Sequence, residues 1–137
     1  MASLRATWAL IHALGHVLGG LWTIHRVFPA LGLPERNQHV KQWSRRMLAI
    51  LRVDLHVLGE PPTQGPLLLV CNHISWLDIL VLNAAQPTRF VSKADVRGWP
   101  LLGALITGAG TLYIERESRR DAMRVVHQMA DALRAGD

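Results

Sequence analysis

The chain has 137 residues, enough for one modest domain with a single core. Half of them are hydrophobic and 18% are charged, which excludes a disordered chain and leaves this one greasy for a soluble protein. The net charge is +5 and the pI is about 10.7, a balance that suits nucleic acid, anionic lipid or phosphorylated small molecules. The fifteen Lys and Arg are scattered, and the chain has no Gly-rich phosphate loop, zinc spacing or RNA-binding signature, so nucleic acid is not an expected partner. The lone cysteine, Cys71, excludes an internal disulfide.

Residues 6–25 ("ATWALIHALGHVLGGLWTIH") contain no Lys, Arg, Asp or Glu. As a helix they would cover roughly 30 Å, the thickness of a bilayer's hydrocarbon core. Trp8 and Trp22 near the two ends fit an aromatic belt, while His12, His16, His25 and three glycines favour a shallow or re-entrant helix. Arg26, Arg36, Lys41, Arg45, Arg46 and Arg52 follow the segment and only Arg5 precedes it. If the segment spans, that asymmetry puts the main domain on the cytoplasmic face. A cleaved signal peptide is disfavoured, because no small-residue cleavage site follows. His12 and His16 have the spacing of helical zinc ligands but lack a third partner, so no metal is expected. Gly15 and Gly19 form a small-xxx-small pair that could admit a neighbouring helix.

"PALGLP", residues 29–34, ends the first helix. The following "ERNQHVKQWSRRMLAILR" sets Val40, Trp43, Met47, Ile50 and Leu51 at helical spacing, with cations on the other sectors. A basic helix with Trp on its apolar stripe suits a membrane interface, the reading preferred here over a stripe packed on the core. These two helices make an N-terminal membrane-associated segment, residues 1–52.

From Val53 the period changes, opening a second unit, residues 53–137. "VDLHVLG" alternates as a strand, and "EPPTQGP" is a turn. "LLLVC" reads as a strand covered on both faces. "SWLDILVLNAA" reads as a helix, "TRFVSK" as a strand, "WPLLGALITGAG" as a short helix and "GTLYIERE" as a strand. The last segment, "SRRDAMRVVHQMADALRAG", is an amphipathic helix with Ala122, Val126, Met129 and Leu133 on one stripe. Its opening Ser118-Arg-Arg-Asp121 resembles a structural capping box. Strands alternating with helices predict an α/β fold, a mixed sheet covered by helices.

His73 and Asp78 interrupt the apolar run "LLLVCNHISWLDILVL". On one continuous helix a spacing of five would set them about 140° apart. They meet only if His73 lies in the loop and Asp78 in the first helical turn, which Ser75 can cap. A carboxylate on one ring nitrogen then orients an imidazole that takes a proton from a hydroxyl. A substrate bringing its own hydroxyl would need no serine or cysteine nucleophile. The architectural reading is equally concrete: Ser75-Trp-Leu-Asp78 is a capping box, with Asp78 bonding back to the Ser75 amide and facing the helix dipole. A hydrolase metal site using both residues would need further ligands, none of which stands at recognisable spacing.

"NHISWLD" resembles the N-H-x-S-x-x-D block of the lysophospholipid and glycerol-phosphate acyltransferases, the family of 1-acylglycerol-3-phosphate acyltransferase. "GTLYIER", Gly110 to Arg116, is similar to that family's Gly-x-x-Phe-Ile-x-Arg block, with Tyr113 at the aromatic position, and "FVSKADVRGWPLLG" lies between them as in the family. The likeness covers residues 53–137 and fits the N-terminal helices more loosely. It implies a glycerol-phosphate acyltransferase-like fold in which His73 is the general base and Asp78 orients it. It implies that Arg116 binds the acceptor's phosphate and that Lys93 faces the same anion. Arg suits that task, because its planar fork holds a phosphate through two bonds. Acyl-CoA or acyl carrier protein would be the donor substrate, with no further cofactor, and a lysolipid such as lysophosphatidate or lyso-ornithine lipid the acceptor at a membrane surface. The family's Glu-Gly-Thr block and its later apolar block are not in this sequence, so the resemblance leaves open an enzyme and a truncated membrane-bound fragment without activity.

Overall fold

The computed structural model describes residues 2–60, 66–115 and 119–135. Its described elements are helix α1 (Ala2–Arg26), helix α2 (Leu33–Leu51), helix α3 (Leu77–Ala85), strand β1 (Val91–Lys93), helix α4 (Leu102–Gly108), strand β2 (Leu112–Ile114) and helix α5 (Arg119–Arg134). Short 3₁₀ segments, Phe28–Ala30 and Ala94–Gly98, follow α1 and β1. The chain is therefore mostly helical, and its sheet is smaller than the sequence predicts.

The core lies where α2 crosses α3. Met47 and Leu48 of α2 and Leu80 and Ala84 of α3 are buried together, flanked by Ala13, Val17, Trp43 and Leu51. Burying a leucine side chain in this way contributes about 1.5–3 kcal/mol. Trp43, Met47 and Leu51 of the predicted α2 stripe thus pack inside the protein, while Val40 and Ile50 stay partly exposed. Arg45, expected on the solvated basic face, donates from Nε to the Ala84 carbonyl at 2.9 Å. That places a cation at the C-terminal end of α3, where the helix dipole favours it.

Helix α1 docks through small residues. Gly20 is buried, and a Cβ there would lie 2.6 Å from Trp43 Nε1 and 2.9 Å from Leu105 Cδ1. Gly15 and Gly19, the predicted helix-pairing glycines, face open space. His16 and Trp43 close the α1–α2 seam: His16 Nε2 donates to the Trp43 carbonyl at 2.9 Å, Trp43 Nε1 donates to the His16 carbonyl at 3.1 Å, and the two rings stack. With Nε2 so engaged, His16 serves packing. The outer face of α1 carries Leu4, Trp8, Ile11, Leu18 and Trp22, all exposed. No helix among the described residues is long and apolar enough to cross a membrane. Three histidines and three glycines dilute the hydropathy of the charge-free stretch, so of the readings the sequence left open the spanning one is not found. The turn into α2 is tied by Arg36, whose Nε donates to the carbonyls of Phe28 and Leu31 at 3.0 Å each.

Two of the four predicted strands form. β1 and β2 pair in parallel, Val91 with Leu112, Ser92 with Tyr113 and Lys93 with Ile114. Gly110 holds φ +90° at the turn before β2, a conformation that L side chains rarely adopt. Residues 53–59 and 67–71 are irregular, not stranded. The run Leu67–Val70, expected to be covered on both faces, is exposed, with Val70 at 88%. An apolar run becomes a covered strand only where a neighbour takes up its backbone groups, and none of the described residues does. On α5 the buried stripe passes through Val125, at 2% exposure, while the predicted Val126 is at 55%. Met129 and Leu133 are half-buried, as expected of that stripe.

Candidate active site

The site grows from the start of α3. Ser75 accepts the Leu77 N–H on its Oγ at 3.2 Å, and its carbonyl accepts the Asp78 N–H at 3.1 Å, so the chain turns into the helix at Ser75. The turn carries Asp78 back over the preceding loop. Asp78 Oδ2 then accepts three hydrogen bonds: from the Ile74 N–H at 2.8 Å, the Ser75 N–H at 2.9 Å and His73 Nδ1 at 3.1 Å. The capping box and the His–Asp pair are one structure, sharing one carboxylate oxygen.

The electrostatics follow from that oxygen. The backbone N–H of Ser75, then that of Ile74, stabilise the charged form and hold the Asp78 carboxyl below its usual range; burial opposes them, and the hydrogen bond and charge of His73 each lower it by less. Asp78 is therefore an anion at neutral pH and can only accept. Nδ1 of His73 must then be the donor, which leaves Nε2 of the neutral ring with a free lone pair. The side chain of His73 is 61% exposed and that of Asp78 28%. The ring presents its basic nitrogen outward on a carboxylate that is itself pinned by two backbone amides.

Lys93 ends β1 and is exposed. The register sets it opposite Ile114, two positions before Arg116. Arg116 lies outside the described residues, so its predicted role is carried by sequence alone. The network that surrounds Asp78 consists of His73, Ile74 and Ser75, and Lys93 is not in it. The Ile74 amide was not foreseen from the sequence. Only the curvature of the loop brings it to Oδ2, and no residue type encodes that. Tyr113, the aromatic of the second block, has its hydroxyl 2.7 Å from Thr107 Oγ1, with the Arg97 guanidinium 5.9 Å from its ring centre. Among the described residues, no group of three or more His, Cys, Asp or Glu is placed to hold a metal ion.

A family model described as Acyltransferase matches residues 52–137. Over 99% of its length the chain is 39% identical to a lyso-ornithine lipid O-acyltransferase of Pseudomonas aeruginosa, of which it covers 54%. It is also 39% identical, over 77% of its length, to a 1-acyl-sn-glycerol-3-phosphate acyltransferase of Neisseria meningitidis serogroup B, of which it covers 42%. A lysophosphatidylcholine acyltransferase of Drosophila melanogaster is 30% identical over 98% of the chain, which covers 26% of it. The chain spans about half the length of these two bacterial relatives. No solved structure matches it significantly.

Proposed function

The chain belongs to the Acyltransferase family, and from that premise we propose that the protein is an O-acyltransferase of membrane lipid synthesis. It moves a fatty acyl group from a thioester donor, acyl-CoA or acyl carrier protein, to the free hydroxyl of a lysolipid. The acceptor proposed first is lysophosphatidate, giving phosphatidate. The observation that carries the reading is the His73–Asp78 pair, with Nδ1 committed to the carboxylate and Nε2 free.

In the reaction, His73 Nε2 takes the proton of the acceptor hydroxyl as its oxygen attacks the thioester carbonyl. Asp78 holds the ring and stabilises the imidazolium that forms. The C–S bond then breaks, and the departing thiolate takes the proton from the imidazolium. Oxygen ends as an ester, sulfur as a thiol, and His73 returns to its starting state. No covalent enzyme intermediate is needed. Arg116 and Lys93 hold the anionic headgroup of the acceptor; the exposure of Lys93 at the end of β1 and the likeness of "GTLYIER" to the family's block support that reading.

The protein works at the cytoplasmic face of the membrane, against which α1 rests its exposed apolar face; Trp8 and Trp22 on that face support this reading. A second acceptor, lyso-ornithine lipid, is favoured by the name of the Pseudomonas relative. It also offers a free hydroxyl, but its headgroup is an amino acid and not a phosphate. Thiol release from acyl-CoA or acyl carrier protein, followed with each acceptor in turn, tests the proposal. Release that depends on lysophosphatidate supports the first reading, and release that depends on lyso-ornithine lipid alone supports the second. Intact folding with no acylation of either lipid from either donor contradicts both.

A further inference from the structure

A groove of about 630 Å³ runs between the first turns of α1 and the last turns of α2. Leu4, Trp8 and Ile50 give it an apolar floor, and Arg5, Arg46 and Arg52 stand around it. All three arginines are exposed, and no carboxylate lines the groove. Arg5 sits in the opening turn of α1, which carries no acidic residue. That end of a helix is already the positive pole of its dipole, where an anion is favoured and a cation is not. Three guanidiniums, one of them against the dipole, repel one another unless an anion comes between them.

We infer that this groove binds the phosphate of an anionic bilayer phospholipid, with the lipid's acyl chains lying on Leu4, Trp8 and Ile50. The apolar floor selects this occupant over free phosphate, which has no use for it. The groove is also continuous with the outer face of α1, because Leu4 and Trp8 belong to both and Ile11, Leu18 and Trp22 extend the same exposed stripe. An amphiphile satisfies the whole surface: its anion meets the arginines and its chains meet the stripe. The inference rests on the reading that α1 lies against the membrane. It adds that the protein discriminates between membranes by their charge, through the α1–α2 groove and apart from the His73 site.

The test is vesicle co-sedimentation, which reads lipid binding and not turnover, so it stands whichever acceptor the site acylates. Phosphatidylcholine vesicles are compared with vesicles containing about 30 mol % phosphatidylglycerol, where each basic residue at an anionic surface is worth about 1 kcal/mol, or roughly fivefold in partition. The expected result is that the wild-type protein prefers the anionic vesicles and that Arg46→Gln with Arg52→Gln cuts the preference about 25-fold. Arg120→Gln with Arg134→Gln removes the same charge from the exposed surface of α5 and should change the preference less than about threefold. All four side chains lie on the surface, so both variants keep the core. Three results overturn the inference: no wild-type preference for the anionic vesicles, an unchanged preference in the groove variant, or an equal fall in the α5 variant.

Discussion

Replacing Asp78 by Asn separates chemistry from architecture more cleanly than any other single change. The asparagine side chain has nearly the same shape, and its carbonyl oxygen can still accept the amides of Ile74 and Ser75 that Oδ2 now accepts at 2.8 and 2.9 Å. The start of α3 therefore stays closed. The charge is lost, and with it the reason for Nδ1 to carry the proton. The oxygen that accepts the two amides is also the one that faces Nδ1, so the ring keeps an acceptor there but loses the anion that fixes its tautomer and stabilises the imidazolium. Loss of orientation and of imidazolium stabilisation together predict a fall in kcat of about 10²–10⁴-fold, with KM for donor and acceptor changed by less than about threefold. The assay is steady-state thiol release with lysolipid and acyl thioester both varied. Circular dichroism checks that the helices are intact. A variant within about tenfold of wild type in kcat would refute the reasoning and leave Asp78 as a cap alone.

Other outcomes follow from packing and charge. A Cβ at Gly20 meets movable side-chain atoms of Trp43 and Leu105, so Gly20→Ala should cost about 1–3 kcal/mol in chemical denaturation. At Gly103 a Cβ would run into the backbone carbonyl of Arg97, so Gly103→Ala should cost more than Gly20→Ala. Gly15→Ala and Gly19→Ala meet nothing and should each stabilise α1 by about 0.5–1 kcal/mol. Val125→Ala should cost about 1–2 kcal/mol and Val126→Ala less than about 0.5, the reverse of what the α5 stripe read from sequence predicts. Because the folded pKa of Asp78 is depressed, its contribution to stability is fully present above the unfolded value of 3.8 and is lost as pH falls through the lower folded value. A carboxyl-carbon NMR titration should accordingly place the Asp78 midpoint below 3.8, and His73→Ala should move it upward.

The His73–Asp78 site was legible because it is local. A serine cap, a carboxylate three residues on and an imidazole two residues before the cap define their own geometry, whatever the rest of the fold does. The helices were legible for a related reason, since periodicity records which side of a helix meets neighbours. What periodicity lacks is the identity of those neighbours. Trp43 and Met47 read as an interfacial stripe, yet Met47 packs with α3 in the core and Trp43 stacks on His16 of α1, and Arg45 reads as solvated, yet it caps α3. Val125 and Val126 are adjacent and equally apolar, so the pattern could not fix the phase of α5. Gly20 supports the α1–α2 contact and Gly15 does not, because helix rotation is set by Trp43 across the seam. The strands failed most. Alternation at residues 53–59 and the apolar run at 67–71 state a preference, while a strand also requires a hydrogen-bonded neighbour that no local pattern contains. Arg116 was named through resemblance alone, and the pairing of Lys93 with Ile114 is a long-range fact that no local pattern contains.

The central claim is that Nε2 of His73 takes the proton of a lysolipid hydroxyl during transfer from a thioester. The most direct measurement is the rate of thioester-dependent acylation of lysophosphatidate and of lyso-ornithine lipid by wild type and by His73→Ala, each at saturating donor. Loss of at least about 10²-fold in the variant, with acceptor binding retained, is the predicted result. Acylation by His73→Ala at a rate near wild type would contradict the claim.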